Sequence, residues 1–258
     1  MLLGNLAKVG LEKFIAIPLG LIFSAILARH IAPEYFGIFV FLQGILMLIF
    51  RLNSLGFTER IIYSENINRD YEEVFRENLT TSLSLFLVSV IVLLFSEYFQ
   101  VGIIMSFGVL AQSIASPIRN YLHFKEHYSI MVRSRYLEGL SNGIIAVVLE
   151  SLFDLNLNSL AIALAASQLF SSLYLYASAD RRCSLKFSIP RFKQSYKGNI
   201  LNYLLFGIFE EVFPRVIDFS LANSGELTKL GFYNRSNRLN NLINNKLAGS
   251  IQQVFLPL

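Results

Sequence analysis

Apolar stretches close to 20 residues long recur from one end of the chain to the other, and this recurrence limits the fold more than any other feature. A helix rising 1.5 Å per residue needs about 20 residues to cross the roughly 30 Å hydrocarbon core of a bilayer. Seven such spans can be drawn, at 11–31, 37–57, 78–98, 101–121, 137–154, 159–179 and 199–221, and an amphipathic eighth begins near 232. Of the 258 residues, 54% are hydrophobic and 16% charged, and the mean hydropathy is +0.52. A soluble domain of this size alternates short apolar runs with charged faces instead. The expected fold is an all-α integral membrane protein, a polytopic helical bundle, and a soluble enzyme is excluded.

The basic residues orient the bundle. With eight spans the connections fall alternately on two sides. One side carries Lys8, Lys13, Arg60, Arg69, Arg76, Arg119, Lys125, Arg133, Arg135, Arg181, Arg182, Lys186, Arg191, Lys193 and Lys197, and the other only Arg29 and Lys229. The positive-inside rule places the first side, with the N-terminus, in the cytoplasm. Membrane orientation therefore accounts for the net charge of +4, and no nucleic-acid partner is expected. No small-residue cleavage pattern follows the first apolar run, so it reads as a membrane helix rather than a removed leader. The single cysteine, Cys183, can form neither an internal disulfide nor a metal cluster. The sequons at Asn78 and Asn234 carry no weight, one being on the cytoplasmic side and the other at a helix start. The longest connections, 58–77 and 180–198, contain no Gly-rich phosphate cradle. No cofactor is expected, and transport energy would come from an ion or substrate gradient rather than bound ATP.

A short echo joins the first span to the seventh. LARHIAPEYFGIF at 27–39 and LANSGELTKLGFY at 221–233 align at a constant offset of 194, pairing Leu27 with Leu221, Ala28 with Ala222, Gly37 with Gly231 and Phe39 with Tyr233. Repeated halves packed around a central path are typical of secondary transporters.

At this repeat the chain resembles polysaccharide (O-unit or capsule) flippases of the multidrug/oligosaccharidyl-lipid/polysaccharide exporter superfamily. ILARHIAPEYFGIF matches the family's "LAR.LGPE.FG.F" at Leu27, Ala28, Arg29, Pro33, Glu34, Phe36, Gly37 and Phe39. RLNSLGFTERII at 51–62 is similar to the family's "DLGL..ALI", with Ser54 where an acid is usual, and RVIDFSLANSGELTKLGFYNRSNRLNNL from Arg215 is similar to "R..D...IG..LG...LG.Y..A.RL..L". The resemblance implies twelve or more helices in two lobes, so that 1–198 would be a six-helix N-terminal lobe, 199–258 the start of a second lobe, and the chain a truncated form. It further implies a transporter rather than an enzyme, in the bacterial cytoplasmic (inner) membrane, translocating undecaprenyl-pyrophosphate-linked oligosaccharides. Its expected partners are that lipid-linked oligosaccharide, membrane lipids and other polysaccharide assembly proteins.

Ionisable groups inside a span cost about 2.5–3.5 kcal/mol each on insertion scales and need partners or a polar cavity. In the seventh span Glu211, Arg215 and Asp218 fall at i, i+4 and i+7 on one helix face, with Glu210 about 100° away and Pro214 positioned to kink the helix. On the functional reading Arg215 holds a pyrophosphate while Asp218, Glu211 or Glu210 takes up a coupling ion. On the structural reading the group is a self-neutralising triad that fixes helix packing. Arg51, deep in the second span, either snorkels to the cytoplasmic headgroups or lines the lumen as an anion site. In the eighth segment Asn234, Arg238, Asn241 and Asn245 form a polar stripe flanked by Arg235 and Lys246, suited to a cleft-lining or interfacial helix; Arg235 and Arg238 join the candidate substrate-binding residues. His30, His123 and His127 lack metal-ligand spacing and read as interfacial. Gly20, Ser24, Gly139 and Gly143 are expected to allow close helix packing. Two other functions fit less well: a cation-coupled drug exporter of the same architecture, which an arginine-bearing lumen disfavours, and a membrane-embedded polymerase or glycosyltransferase, for which the outer acids Glu34, Glu97, Glu150, Asp154 and Glu226 are too scattered.

Overall fold

A computed structural model describes residues 19–54, 67–125, 127–179, 208–209 and 211–243. Its described residues form a helical bundle without strands: α1 (Leu19–His30), α2 (Pro33–Arg51), α3 (Ile67–Leu93), α4 (Phe99–Phe124), α5 (Tyr128–Phe153), α6 (Leu157–Ser178), α7 (Val216–Asn223) and α8 (Leu227–Ile243). Five of these segments, beginning at Pro33, Tyr71, Phe99, Tyr128 and Leu157, are long and apolar enough to cross a bilayer. The chain is a multi-pass membrane protein.

Short connections make successive helices antiparallel. The α1–α2, α3–α4, α5–α6 and α7–α8 turns therefore share one end of the bundle. The other end holds the α4–α5 turn and the basic residues Arg51, Arg76, Arg119, Lys125, Arg133 and Arg135.

α4 and α6 form the centre. Gly108 lies against the backbone of Ala165, where an added Cβ would stand 2.6 Å from the Ala165 Cα; small residues of this kind let membrane helices approach closely where no hydrophobic force drives them together. α2 closes the central layer, with Ile38, Leu42, Leu46 and Phe50 buried against Met105, Val109, Ala161 and Leu164. At the basic end Tyr71 stacks on Tyr121 with centroids 4.3 Å apart, inside a cluster that includes Phe75, Ile118, Leu122 and Leu175. α5 is peripheral and leaves Leu137, Ile144, Val148 and Leu152 exposed, the surface expected of a lipid-facing helix.

Several helix limits depart from the hydropathy-drawn spans. α2 ends at Arg51, α3 starts at Ile67 and α5 at Tyr128, rather than at 57, 78 and 137. Much of the expected 58–77 connection is thus helix. Hydropathy marks the hydrocarbon, whereas hydrogen-bonded helix continues past it: the 27 residues of α3 reach about 40 Å at 1.5 Å per residue, well beyond the apolar core. The charged extension is stitched by its own side chains, as in the Glu72–Arg76 pair at 3.7 Å. The expected seventh span is interrupted, because Phe213–Arg215 is a 3-10 turn at the point where Pro214 cannot donate to the α-helical ladder.

Candidate functional site

The interruption at Pro214 places three charged residues beside α2. The Arg215 Nε donates to Glu211 Oε1 at 2.9 Å, and Nη2 lies 2.8 Å from the same oxygen. The remaining terminal nitrogen, Nη1, turns towards α2, 3.5 Å from where a Cβ on Gly44 would stand. Gly44 also seats the ring of Phe219, which meets Phe41 edge-on at 6.0 Å. A Cβ at Gly44 would press on Phe219, 3.3 Å away, and come into van der Waals contact with Arg215. Asp218 is 9% exposed and its Oδ1 has no hydrogen-bond partner; its electrostatic counterpart is Arg215. A buried carboxylate oxygen without a donor is costly and is stabilised by a proton, a cation or an added donor. The arrangement can therefore offer a partly neutralised guanidinium to an anion and an undersatisfied carboxylate to a cation or proton.

The two copies of the sequence repeat meet in space. The backbone of Gly37 in α2 packs on the Leu227 carbonyl of α8, and that of Gly231 in α8 packs on the Pro33 carbonyl of α2. Pro33 and Leu227 are separated by the same 194 positions as Gly37 and Gly231, so each copy makes with the other the contact it receives. Such reciprocity is the mark of a local two-fold relation. Arg235, one turn further along α8, lies over the Phe36 ring at 4.4 Å and donates from Nη2 to the Ile31 carbonyl at 2.5 Å.

The family of polysaccharide biosynthesis proteins matches residues 26–258. The chain belongs to that family. Its role in polysaccharide biosynthesis is thereby fixed at the level of class, as the three resembling patches between 27 and 242 imply. No curated protein and no solved structure matches it.

Within this family member the expected site residues divide. Glu211, Arg215 and Asp218 are brought together. Arg51 is the last residue of α2, half-buried, where its charge also suits the negative end of the helix dipole. Arg235 points to the α1 terminus. Glu210 and the side chain of Arg238 lie outside the described residues. No group of three His, Cys, Asp or Glu suited to a metal occurs among the described residues. Of the small residues, Gly143 does receive the Phe23 ring, but nothing lies within 4 Å of a Cβ built on Gly139; the expected close packing fails there because Gly139 is exposed.

Two polar clusters were missed. Asn53 Nδ2 lies 2.7 Å from Asn78 Oδ1, 2.9 Å from Ser82 Oγ and 2.6 Å from Ser113 Oγ, while Asn78 Nδ2 donates to the Ser113 carbonyl at 3.0 Å. This ties α3 and α4 to the end of α2, and the buried Asn78 is no glycosylation acceptor in the fold. On α4 and α5, Arg119 and Arg135 act electrostatically on Glu138, and the Ser134 hydroxyl of α5 lies 2.7 Å from the Ser171 hydroxyl of α6. In the sequence Arg119 and Arg135 stand out only as basic residues of the cytoplasmic side. Glu150, expected among scattered outer acids, is buried and accepts from the Asn156 N–H at 2.8 Å, bracing a turn in which Asp154 and Asn156 both have positive φ.

Proposed function

We propose that this chain serves a flippase that moves undecaprenyl-pyrophosphate-linked oligosaccharides from the cytoplasmic to the outer leaflet of the bacterial inner membrane. A sugar pyrophosphate crosses about 30 Å of hydrocarbon only along a polar, partly cationic path. The observation that carries the reading is the Glu211–Arg215–Asp218 group held against the bare backbone of Gly44 in a membrane member of a polysaccharide biosynthesis family. In this reading Arg215 receives the pyrophosphate, exchanging part of its pairing with Glu211 for charge-assisted bonds to phosphate oxygens. Asp218, with Glu211, takes up the coupling proton or cation. The bundle end rich in Arg and Lys faces the cytoplasm, with α1–α6 in the first lobe and α7–α8 opening the second. No catalytic step is assigned to the chain.

Complementation tests the reading. The chain, alone and extended by a second lobe, is expressed in a strain lacking its own O-unit or capsule flippase, and surface polysaccharide is assayed. Rescue that is lost in Arg215→Ala and in Asp218→Asn supports it. Undiminished export by those variants removes the assigned roles. Absence of rescue in several such strains, with the protein correctly inserted, overturns the substrate and directs attention to cationic drug export.

A further inference from the structure

The two helix pairs of the repeat end differently. α7 closes on itself: Gly225, at φ +74°, donates to the Ala222 carbonyl at 3.1 Å, and Glu226 donates to Leu221 at 3.1 Å. This is a Schellman motif, in which a left-handed glycine lets the chain satisfy its own terminal carbonyls. α1 has no such device. Its connection is Ile31-Ala32-Pro33, where Ala32 is extended (ψ 147°) and Pro33 has no N–H to give. The Tyr35 N–H goes to Ala32 rather than Ile31. The donor that reaches Ile31 comes from the other copy: Arg235 Nη2 at 2.5 Å, with Nη1 3.4 Å from the Ala28 carbonyl. The guanidinium carbon lies over the Phe36 ring, 4.4 Å from its centroid, and the reciprocal glycine contact of Gly37 and Gly231 lies beside it.

We infer that Arg235 is a removable latch, a cap supplied to α1 by α8, which holds the α1–α2 and α7–α8 turns together and shuts this end of the bundle. The position equivalent to Arg235 in the first copy, 194 residues earlier, is Phe41, so the latch has no twin and its release is a single event. When α8 draws away from α2, the Ile31 carbonyl loses its donor and the guanidinium loses both its acceptors and its aromatic seat. Closure is therefore favoured until something else engages Arg235 or outweighs the contact. The inference rests on the transport reading only in naming this end as the outer one and its opening as a step of the cycle.

The test reads accessibility and needs no substrate, so its failure is distinguishable from failure of the flippase reading. In a Cys183→Ser background, single cysteines are placed by Phe41→Cys, on α2 inward of the latch, and by Lys229→Cys, on the exposed outer turn. Intact cells are treated with a membrane-impermeant maleimide. Arg235→Ala is expected to raise labelling at position 41 about ten-fold or more, the factor corresponding to loss of one charge-assisted hydrogen bond, while labelling at position 229 stays constant. Arg235→Lys falls between, since an ammonium can reach a carbonyl but does not reproduce the planar fork. Unchanged labelling at position 41 in Arg235→Ala overturns the latch. So does loss of the chain from the membrane or a parallel rise at both positions, because Arg235 would then support the whole fold rather than one closure.

Discussion

Replacing Gly231 by alanine isolates the contact between the two repeats. Alanine favours helix by about 1 kcal/mol over glycine, so a neutral environment would make the change stabilising. Here the added Cβ would fall on the Pro33 carbonyl and stand 3.1 Å from the Pro33 Cα. Both are backbone atoms, and no flexible side-chain tip can yield. α2 and α8 must therefore part by an ångström or so, and gaps of that order forfeit a quarter to a half of each dispersion contact across the seam. Overpacking of this kind costs about 1–3 kcal/mol. The net expectation is a loss that outweighs the propensity gain, read as a fall of roughly 2–4 °C in unfolding midpoint for each kcal/mol in a chain of this size. The comparator is Gly139→Ala, where nothing lies within 4 Å and the midpoint should hold or rise. Gly37→Ala meets the Leu227 carbonyl carbon at 2.9 Å and should behave like Gly231→Ala. The double variant should lose less than the two single losses together, since the helices need separate only once. Thermal unfolding of the detergent-solubilised chain, followed by size-exclusion, measures all four. If Gly231→Ala proves as harmless as Gly139→Ala, the close crossing of α2 and α8 is wrong.

Asn78→Ala should destabilise by about 1–3 kcal/mol by stranding Asn53 and the Ser113 carbonyl, whereas Ser84→Ala, at an exposed site on the same helix, should change little; the same thermal assay compares them. Gly225→Ala should cost about 1–2 kcal/mol from backbone strain alone, since no atom lies within 4 Å of its Cβ, and Gly225→Asn should recover part of it in the same melts. Glu150→Ala removes the acceptor of the Asn156 N–H and should hasten protease cleavage at 153–157, while Asp154→Ala, which keeps that acceptor, should not match it.

The bundle was legible because a bilayer admits few backbone solutions, and apolar length marks them. Pro214 also announced its break, and the echo that pairs Gly37 with Gly231 foretold two related helix pairs. The limits of α3 were not legible, since Glu72, Glu73, Arg76 and Glu77 look like a loop to a hydropathy window although they sit on helix. Nor was the Asn53–Asn78–Ser82–Ser113 cluster, whose members come from three separate segments of the chain and are individually ordinary; amides and hydroxyls within predicted spans are the signal that could have directed attention to them. The sequence marks Arg235 as a candidate substrate-binding residue beside a polar stripe, not as a cap for α1. Its partner is a carbonyl exposed by a proline some 200 positions away, and no periodicity encodes that relation.

The Asn53–Asn78–Ser82–Ser113 cluster also bears on biogenesis. Its members leave the ribosome on three different stretches of chain, Asn53 first, then Asn78 and Ser82 together on α3, and α3 emerges before α4 exists to supply Ser113. Until then its polar groups enter lipid with an incomplete set of partners. The span is accordingly less apolar than α2 or α4, and its stable residence depends on helices made before and after it. Insertion of α3 is thus cooperative with its neighbours, and a ribosome stalled between α3 and α4 would leave the third helix free to slip back towards the aqueous side.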